Sequence, residues 1–135
     1  MIVAVDSSVL LAIFNGEPGS EEWMSALIQA RRAGRLVVCD VVYAELAPAF
    51  ASKAKFDAAL GTLGASLDPI GADAAWLAGV TFKAYRKDGG PRAHLIPDFL
   101  VAAHARVQGN QLAASDRGYI RRYFPDLQLL RPGKT

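Results

Sequence analysis

Four acidic side chains in this sequence stand either where a buried charge is costly or where ligands gather. Asp6 directly follows the apolar run Ile2-Val3-Ala4-Val5, and Asp116 follows Gln111-Leu112-Ala113-Ala114 with only Ser115 between. Asp98 opens the stretch Pro97-Asp98-Phe99-Leu100-Val101-Ala102-Ala103-His104-Ala105, whose apolar residues run nearly all round a helix. Glu45 sits among apolar neighbours in Val41-Val42-Tyr43-Ala44-Glu45-Leu46 and is expected to point inward. A carboxylate in such surroundings is costly unless it is paired, hydrogen-bonded or bound to a metal. A plainer reading competes for three of them: Asp6, Asp98 and Asp116 lie at helix starts, where acids cap free N–H groups and complement the helix dipole. Asp40 and Asp73 are read in that plain way alone. Convergence separates the four, because acids sharing one crevice repel each other strongly and a cation relieves that repulsion. Oxygen ligands with no histidine or cysteine nearby favour Mg²⁺, or Mn²⁺, over zinc. Such a site suits phosphodiester hydrolysis, since the ion lowers the pKa of its bound water, screens the phosphate and steadies the leaving oxygen.

The elements that must position these acids are legible in outline. Ile2 to Val5 reads as a strand, bounded by Asp6-Ser7-Ser8, and a short helix runs from Ser8 to Asn15 before Gly16 and Pro18. Ser20-Glu21-Glu22 opens a second helix that ends at Arg31-Arg32-Ala33-Gly34. Leu36 to Cys39 is a buried strand; helix resumes near Val41, breaks at Pro48, and returns from Lys53 to Leu63 before Gly64. A weak strand over Ser66 to Ile70 precedes a long helix from Asp73 to Arg86, and Lys87-Asp88-Gly89-Gly90-Pro91 is expected to be a mobile loop. A helix from Pro97 to Val107, a strand over Gln111 to Ala114, a short helix over Arg117 to Tyr123 and a strand over Leu127 to Leu130 complete the chain. Short apolar strands alternating with helices predict a three-layer α/β/α domain with a central parallel sheet. Ligands of such sheets bind beyond the carboxyl ends of the strands, so Asp6 and Asp116 should face one crevice.

Composition bounds the function. With 135 residues, 52% of them hydrophobic, the chain suffices for a single domain over 1–135 with an ordinary core. Cys39 is the only cysteine, which forbids an internal disulfide and fits a reducing, cytoplasmic setting. The first residues lack a basic flank, so no export signal is evident, and no apolar stretch reaches the roughly 20 residues a bilayer span needs. A net charge of +2 is too small by itself to announce a nucleic-acid binder. Five cations against two acids from Ser115 onward nevertheless concentrate positive charge near the expected crevice. Candidate phosphate contacts are Arg117, Arg121 and Arg122, with Lys83, Arg86, Lys87 and Arg92 around the glycine loop, although basic residues at helix ends are commonly just solvated. Other chemistries find no support: there is no GxxxxGK[ST], GxGxxG or GxSxG pattern. His94 has no metal-ligand spacing, and His104, mid-helix beside alanines, is read as a structural or surface residue.

Val-Asp-Ser-Ser-Val-Leu-Leu-Ala at the start, Tyr-Ala-Glu-Leu at 43–46, Pro-Asp-Phe-Leu-Val-Ala-Ala-His-Ala at 97–105 and Ala-Ser-Asp-Arg-Gly-Tyr at 114–119 together resemble a PIN domain. More narrowly, the pattern is similar to the VapC-type ribonuclease toxins of prokaryotic toxin–antitoxin pairs. That resemblance implies an endoribonuclease in which Asp6, Glu45, Asp98 and Asp116 hold the catalytic metal, with products carrying 5′-phosphate and 3′-hydroxyl ends. Asp6, Asp98 and Asp116 would be direct or water-mediated ligands and Glu45 a ligand or general base. Ser115 stands where the family commonly has threonine, and would support the acids by a hydrogen bond; Ser7 would cap the first helix or position groups near the metal. The resemblance also implies a homodimer, and a VapB-type antitoxin received in a groove near Trp23, Leu27, Phe50 and Phe56. Two other readings stand beside it: a PIN-like module that binds RNA or assembles without turnover, and an aspartyl-phosphate phosphatase with Asp6 as nucleophile. The second wants another aspartate two residues on, where this chain has Ser8.

Overall fold

The computed structural model describes residues 1–91, 96–115 and 118–133. Five strands form one sheet, every pair parallel: β1 Ile2–Val5, β2 Arg35–Val38, β3 Ala65–Leu67, β4 Gln111–Ala113 and β5 Gln128–Leu130, in the order β3-β2-β1-β4-β5. Short runs such as Val3-Ala4-Val5 and Leu36-Val37-Val38 are apolar on both faces because helices cover both faces of a parallel sheet, and all six residues are buried. The register pairs Val3 with Leu36 on one side and with Gln111 on the other, so β1 is the central strand.

Among the described residues, seven α-helices join the strands: α1 Ser7–Phe14, α2 Ser20–Ala33, α3 Asp40–Leu46, α4 Lys53–Leu63, α5 Ala72–Lys87, α6 Ile96–Gln108 and α7 Tyr119–Tyr123. The crossovers β1–β2 and β3–β4 run in opposite directions across the sheet, so right-handed connections place α1–α2 and the α5–α6 hairpin on opposite faces. This is the expected three-layer α/β/α architecture. The break expected at Pro48 is a single 3-10 turn, Ala47–Ala49. Ser52 accepts the N–H of Lys55 at 3.1 Å to start α4, and Gly64, at φ +84°, ends it. Arg31 lies at the end of α2, but its guanidinium donates to the Leu63 carbonyl of α4 at 2.9 Å, closing a second helix in place of its own.

Helix α6 is the most deeply set, burying Phe99, Val101, Ala102, Ala103, His104 and Ala105. His104 is wholly buried and structural: its Nε2 lies 2.8 Å from Asp68 Oδ2, which also accepts from Gln108 Nε2 at 3.0 Å. Gln108 Oε1 in turn accepts the N–H of Gly71 at 2.8 Å, so α6 pins the loop leading into α5. Asp40, read as a plain cap, serves the same loop, accepting the N–H of Ile70 at 3.1 Å.

Candidate active site

β1 and β4 are neighbours although the chain visits β2 and β3 between them, and the crossovers beside them leave in opposite directions. At such a switch point α/β sheets bind ligands beyond the carboxyl ends of the strands. Asp6 stands there: its N–H donates to the Ala113 carbonyl at 3.0 Å, and Ser115 follows Ala113 by two residues along the same edge. Asp6 occupies the N-cap position of α1, and its carbonyl accepts the N–H of Val9 at 3.2 Å. Its carboxylate, however, makes no capping bond; Oδ2 accepts from Ser8 Oγ at 2.6 Å. The cap that would explain the acid plainly is therefore supplied by the main chain alone.

Ser7 Oγ donates to Glu45 Oε1 at 3.1 Å, tying the first residue of α1 to α3. Glu45 is exposed, not turned inward as its neighbours suggest. α3 buries Val42 and Leu46, one turn apart, and Glu45 falls on the flank of that stripe, from which its side chain reaches the edge beside Ser7. Asp98 is half-buried in the first turn of α6, a helix packed against β1, β4 and α3. Asp116 and Arg117 lie outside the described residues, as do Arg92 and His94. Among the described residues, no three acids, histidines or cysteines close on one point as a metal site would require. In kind the donors fit a hard divalent ion, being carboxylates and serine hydroxyls at a half-open edge with no thiol or imidazole among them.

The loop expected to be mobile is a fastened turn. Gly90 N–H donates to the Tyr85 carbonyl at 2.9 Å, Arg86 Nη1 to the Gly90 carbonyl at 2.9 Å, and Tyr85 Oη to the Pro91 carbonyl at 2.9 Å. Gly90 lies flat on the Tyr85 ring, which a Cβ at that position would strike. The ring itself packs against Phe99, next to Asp98, and edge-on against Tyr123 of α7. Tyr123 Oη donates to Asp88 at 2.9 Å, joining the turn to α7. Arg121 and Arg122 are exposed on α7; Arg122 lies 5.3 Å from the Tyr123 ring centroid and 3.9 Å from Asp88. Lys83 and Lys87 are exposed at the end of α5.

On the other side of α1, a groove of about 650 Å³ is lined by Ile13, Phe14, Met24, Ile28, Arg31, Ala59, Thr62 and Leu63. Of the aromatic and apolar residues read as partner contacts, Leu27 and Phe56 are core, whereas Trp23 and Phe50 are half-buried beside it. Phe14, Phe50, Phe56 and Tyr43 form a ladder of rings with centroids 4.5–5.3 Å apart. Tyr43 Oη and Lys53 Nζ both reach Asp57, each at 2.6 Å. Those two donors, Lys53 foremost, hold the Asp57 carboxyl below its usual range, and bonding to Asp57 raises both the Tyr43 phenol and the Lys53 ammonium.

Two features escaped the sequence reading. Ser8 is the donor that holds Asp6, and the Asp-x-Ser spacing was its available signal. The Asp88–Tyr123 bond spans 35 residues and left no local signal.

The sequence matches the PIN domain family over residues 3–125. Similar folds occur in the VapBC2 complex of Rickettsia felis bound to a fragment of its promoter (TM-score 0.73, 17% identity, covering 96% of this chain and 97% of that one). They also occur in VapBC-1 of nontypeable Haemophilus influenzae (0.68, 22%, 96% of each chain) and FitAcB of Neisseria gonorrhoeae (0.66, 17%, all of each chain). Among curated proteins no sequence match is significant. The parallel five-stranded sheet, the acid at its switch point and the family match over nearly the whole chain agree: this chain belongs to the PIN domain family.

Proposed function

We propose that this chain is the toxin of a toxin–antitoxin pair, a cytoplasmic endoribonuclease that hydrolyses RNA with the help of Mg²⁺ or Mn²⁺. The observation that carries the reading is the state of Asp6. It stands at the topological switch point beside a linked Ser7–Glu45 pair, with a carboxylate that does no capping. Asp6 and Asp98, with Asp116, would hold the ion, which when bound supplies an activated water and neutralises charge on the phosphate. Glu45, exposed at the edge and oriented by Ser7, would serve as a ligand or take up a proton as general base. Ser8 fixes the Asp6 rotamer through Oδ2, and Ser115 is a hydroxyl donor at the same edge. Arg121, Arg122, Arg117 and Arg92 would hold the RNA backbone. The fold neighbours are toxin–antitoxin complexes, which supports a VapB-type antitoxin as partner, its apolar segment seated in the groove lined by Phe14, Met24 and Ile28. Self-association belongs to the same reading.

The test is cleavage of a fluorescent RNA by the purified chain with Mg²⁺, Mn²⁺ or EDTA, beside a generic phosphate ester. Cleavage of RNA alone, lost in EDTA and in Asp98→Asn, is expected. RNA binding without cleavage in either metal would favour the module without turnover, and unchanged cleavage by Asp98→Asn would refute the assignment.

A further inference from the structure

β5 is an outer strand of the sheet, and between it and α7 lies a cleft of about 380 Å³. Leu127, Leu129 and Arg131, alternate residues along the chain, line it from the sheet, and Ile120, Arg121 and Pro125 line it from α7 and the turn after it. Strand pairing fixes which face this is. Val3, Gln111 and Leu130 share a groove with Glu21, Ser25 and Gln29 of α2, so theirs is the α2 face. Leu129, next to Leu130, points to the opposite face, which carries the α5–α6 hairpin. Pairing also fixes the height. Val5, Ala113 and Leu130 are in register across β1, β4 and β5, so the residues that follow them, Asp6, Ala114 and Arg131, stand together at the carboxyl edge. With neighbouring strands about 4.8 Å apart, the Arg131 main chain is roughly 10 Å from that of Asp6, a span that a short stretch of RNA backbone covers.

Charge and shape together select the occupant. Among the described residues the lining holds two guanidiniums and no acid, and Asp126, between Pro125 and Leu127, accepts from Arg106 at 3.4 Å. The rest of the lining is aliphatic. A bare anion would leave that floor unused, and an acidic peptide would lay peptide groups over it with their hydrogen bonds unmet. A nucleotide answers both parts: guanidiniums bind phosphate in bidentate pairs, and the sugar and base cover the apolar floor. The volume is within the range of small-ligand pockets. Only the two arginines of the lining carry hydrogen-bonding side chains, so the slot takes a nucleotide by charge and shape and tolerates any base. We propose that the cleft between α7 and β5 is a nucleotide subsite, in which Arg121 and Arg131 hold phosphates of an RNA strand continuing from the acidic edge. The subsite rests on the reading of this chain as acting on RNA; it adds Arg131 to that reading and gives the strand a course along the sheet.

Fluorescence anisotropy of a labelled uridine octamer in EDTA reads binding with metal-dependent cleavage shut off. Arg131→Ala should weaken binding about tenfold and lower the logarithmic salt slope by about 0.7, with an unchanged circular dichroism spectrum. Arg131→Lys keeps the charge and should keep the slope, and an adenosine octamer should show the same losses as the uridine one. A second measurement needs no variant: uridine 5′-monophosphate should shift the amide resonances of Ile120 and Leu129 saturably, and inorganic phosphate should do so more weakly. Equal affinity and slope in Arg131→Ala would overturn the proposal, as would shifts that inorganic phosphate reproduces in full, which would leave an anion cradle. Displacement of the octamer by hexaglutamate from the wild type but not from Arg131→Ala would overturn it in favour of an acidic peptide. Cleavage that depends on Asp98, beside an Arg131→Ala chain that binds normally, sinks the subsite alone. Arg131-dependent binding without any cleavage sinks the nuclease and supports the subsite.

Discussion

At the scale of single residues, the question for Asp6 is whether it is a helix cap or a functional acid. The two roles predict opposite outcomes for stability. An N-cap side chain replaced by alanine costs typically about 1 kcal/mol. Here the carboxylate makes no bond to the helix N–H groups and accepts from Ser8 Oγ at 2.6 Å. Asp6→Ala should therefore cost less than the roughly 1 kcal/mol of a lost cap while abolishing activity. Denaturant unfolding of both proteins checks it; a loss of a full cap's worth would return Asp6 to the plain reading. Residue types and spacing were enough to single out Asp6, because it follows an apolar strand directly. They misjudged Glu45: apolar neighbours along the chain do not tell which flank of α3 faces the sheet, and that depends on Val42 and Leu46 taking the buried stripe together.

Between elements, the positioning is done by a few side chains bridging helices that are far apart in sequence. Ser7–Glu45 joins α1 to α3, Arg31 closes α4 from α2, and Tyr43–Asp57–Lys53 locks α3 to α4. The last lock has a defined pH window. The Asp57 carboxyl is depressed, so its contribution is present above the ordinary carboxylate range and is lost as pH falls through its native value. Tyr43 and Lys53 are raised, so theirs is full below their ordinary values and is lost as pH climbs through the raised ones. Ultraviolet titration should show Tyr43 ionising above the ordinary 10.0, and Asp57→Asn should bring it back down. A Tyr43 that titrates at the ordinary value, or a raised titration that Asp57→Asn leaves unchanged, would contradict the lock. Helix and strand positions were legible because glycine and proline punctuate this chain, as at Gly34, Gly64 and Pro97. The turn at Gly89–Pro91 was misread for the same reason: its fastening depends on the Tyr85 ring and the Asp88–Tyr123 bond, neither of which composition reveals.

Across the whole molecule, strand order does the decisive work. Inserting β4 next to β1 puts the ends of the first and fourth strands at one edge, and α7, which carries Arg121 and Arg122, is tied through Tyr123 to Asp88 at the end of α5. If Arg121 and Arg122 hold RNA, replacing both by alanine should weaken RNA binding and flatten the salt dependence, by about 0.7 in the logarithmic slope per lost phosphate contact. An unaltered slope, measured by fluorescence anisotropy across a salt series, would remove them from the interface. The fold class could be read from alternating strands and helices, but the strand order could not, since it depends on which face each crossover takes.

The most direct measurement is a crystal structure of the chain grown with Mn²⁺, using its anomalous signal to locate the ion. The expected result is a peak at the carboxyl edge of β1 and β4, within about 2.0–2.6 Å of carboxylate oxygens of Asp6 and Asp98, the range for oxygen-bound divalent ions. A structure with Mn²⁺ elsewhere, or with those two carboxylates turned to separate surfaces, would contradict a metal-dependent nuclease.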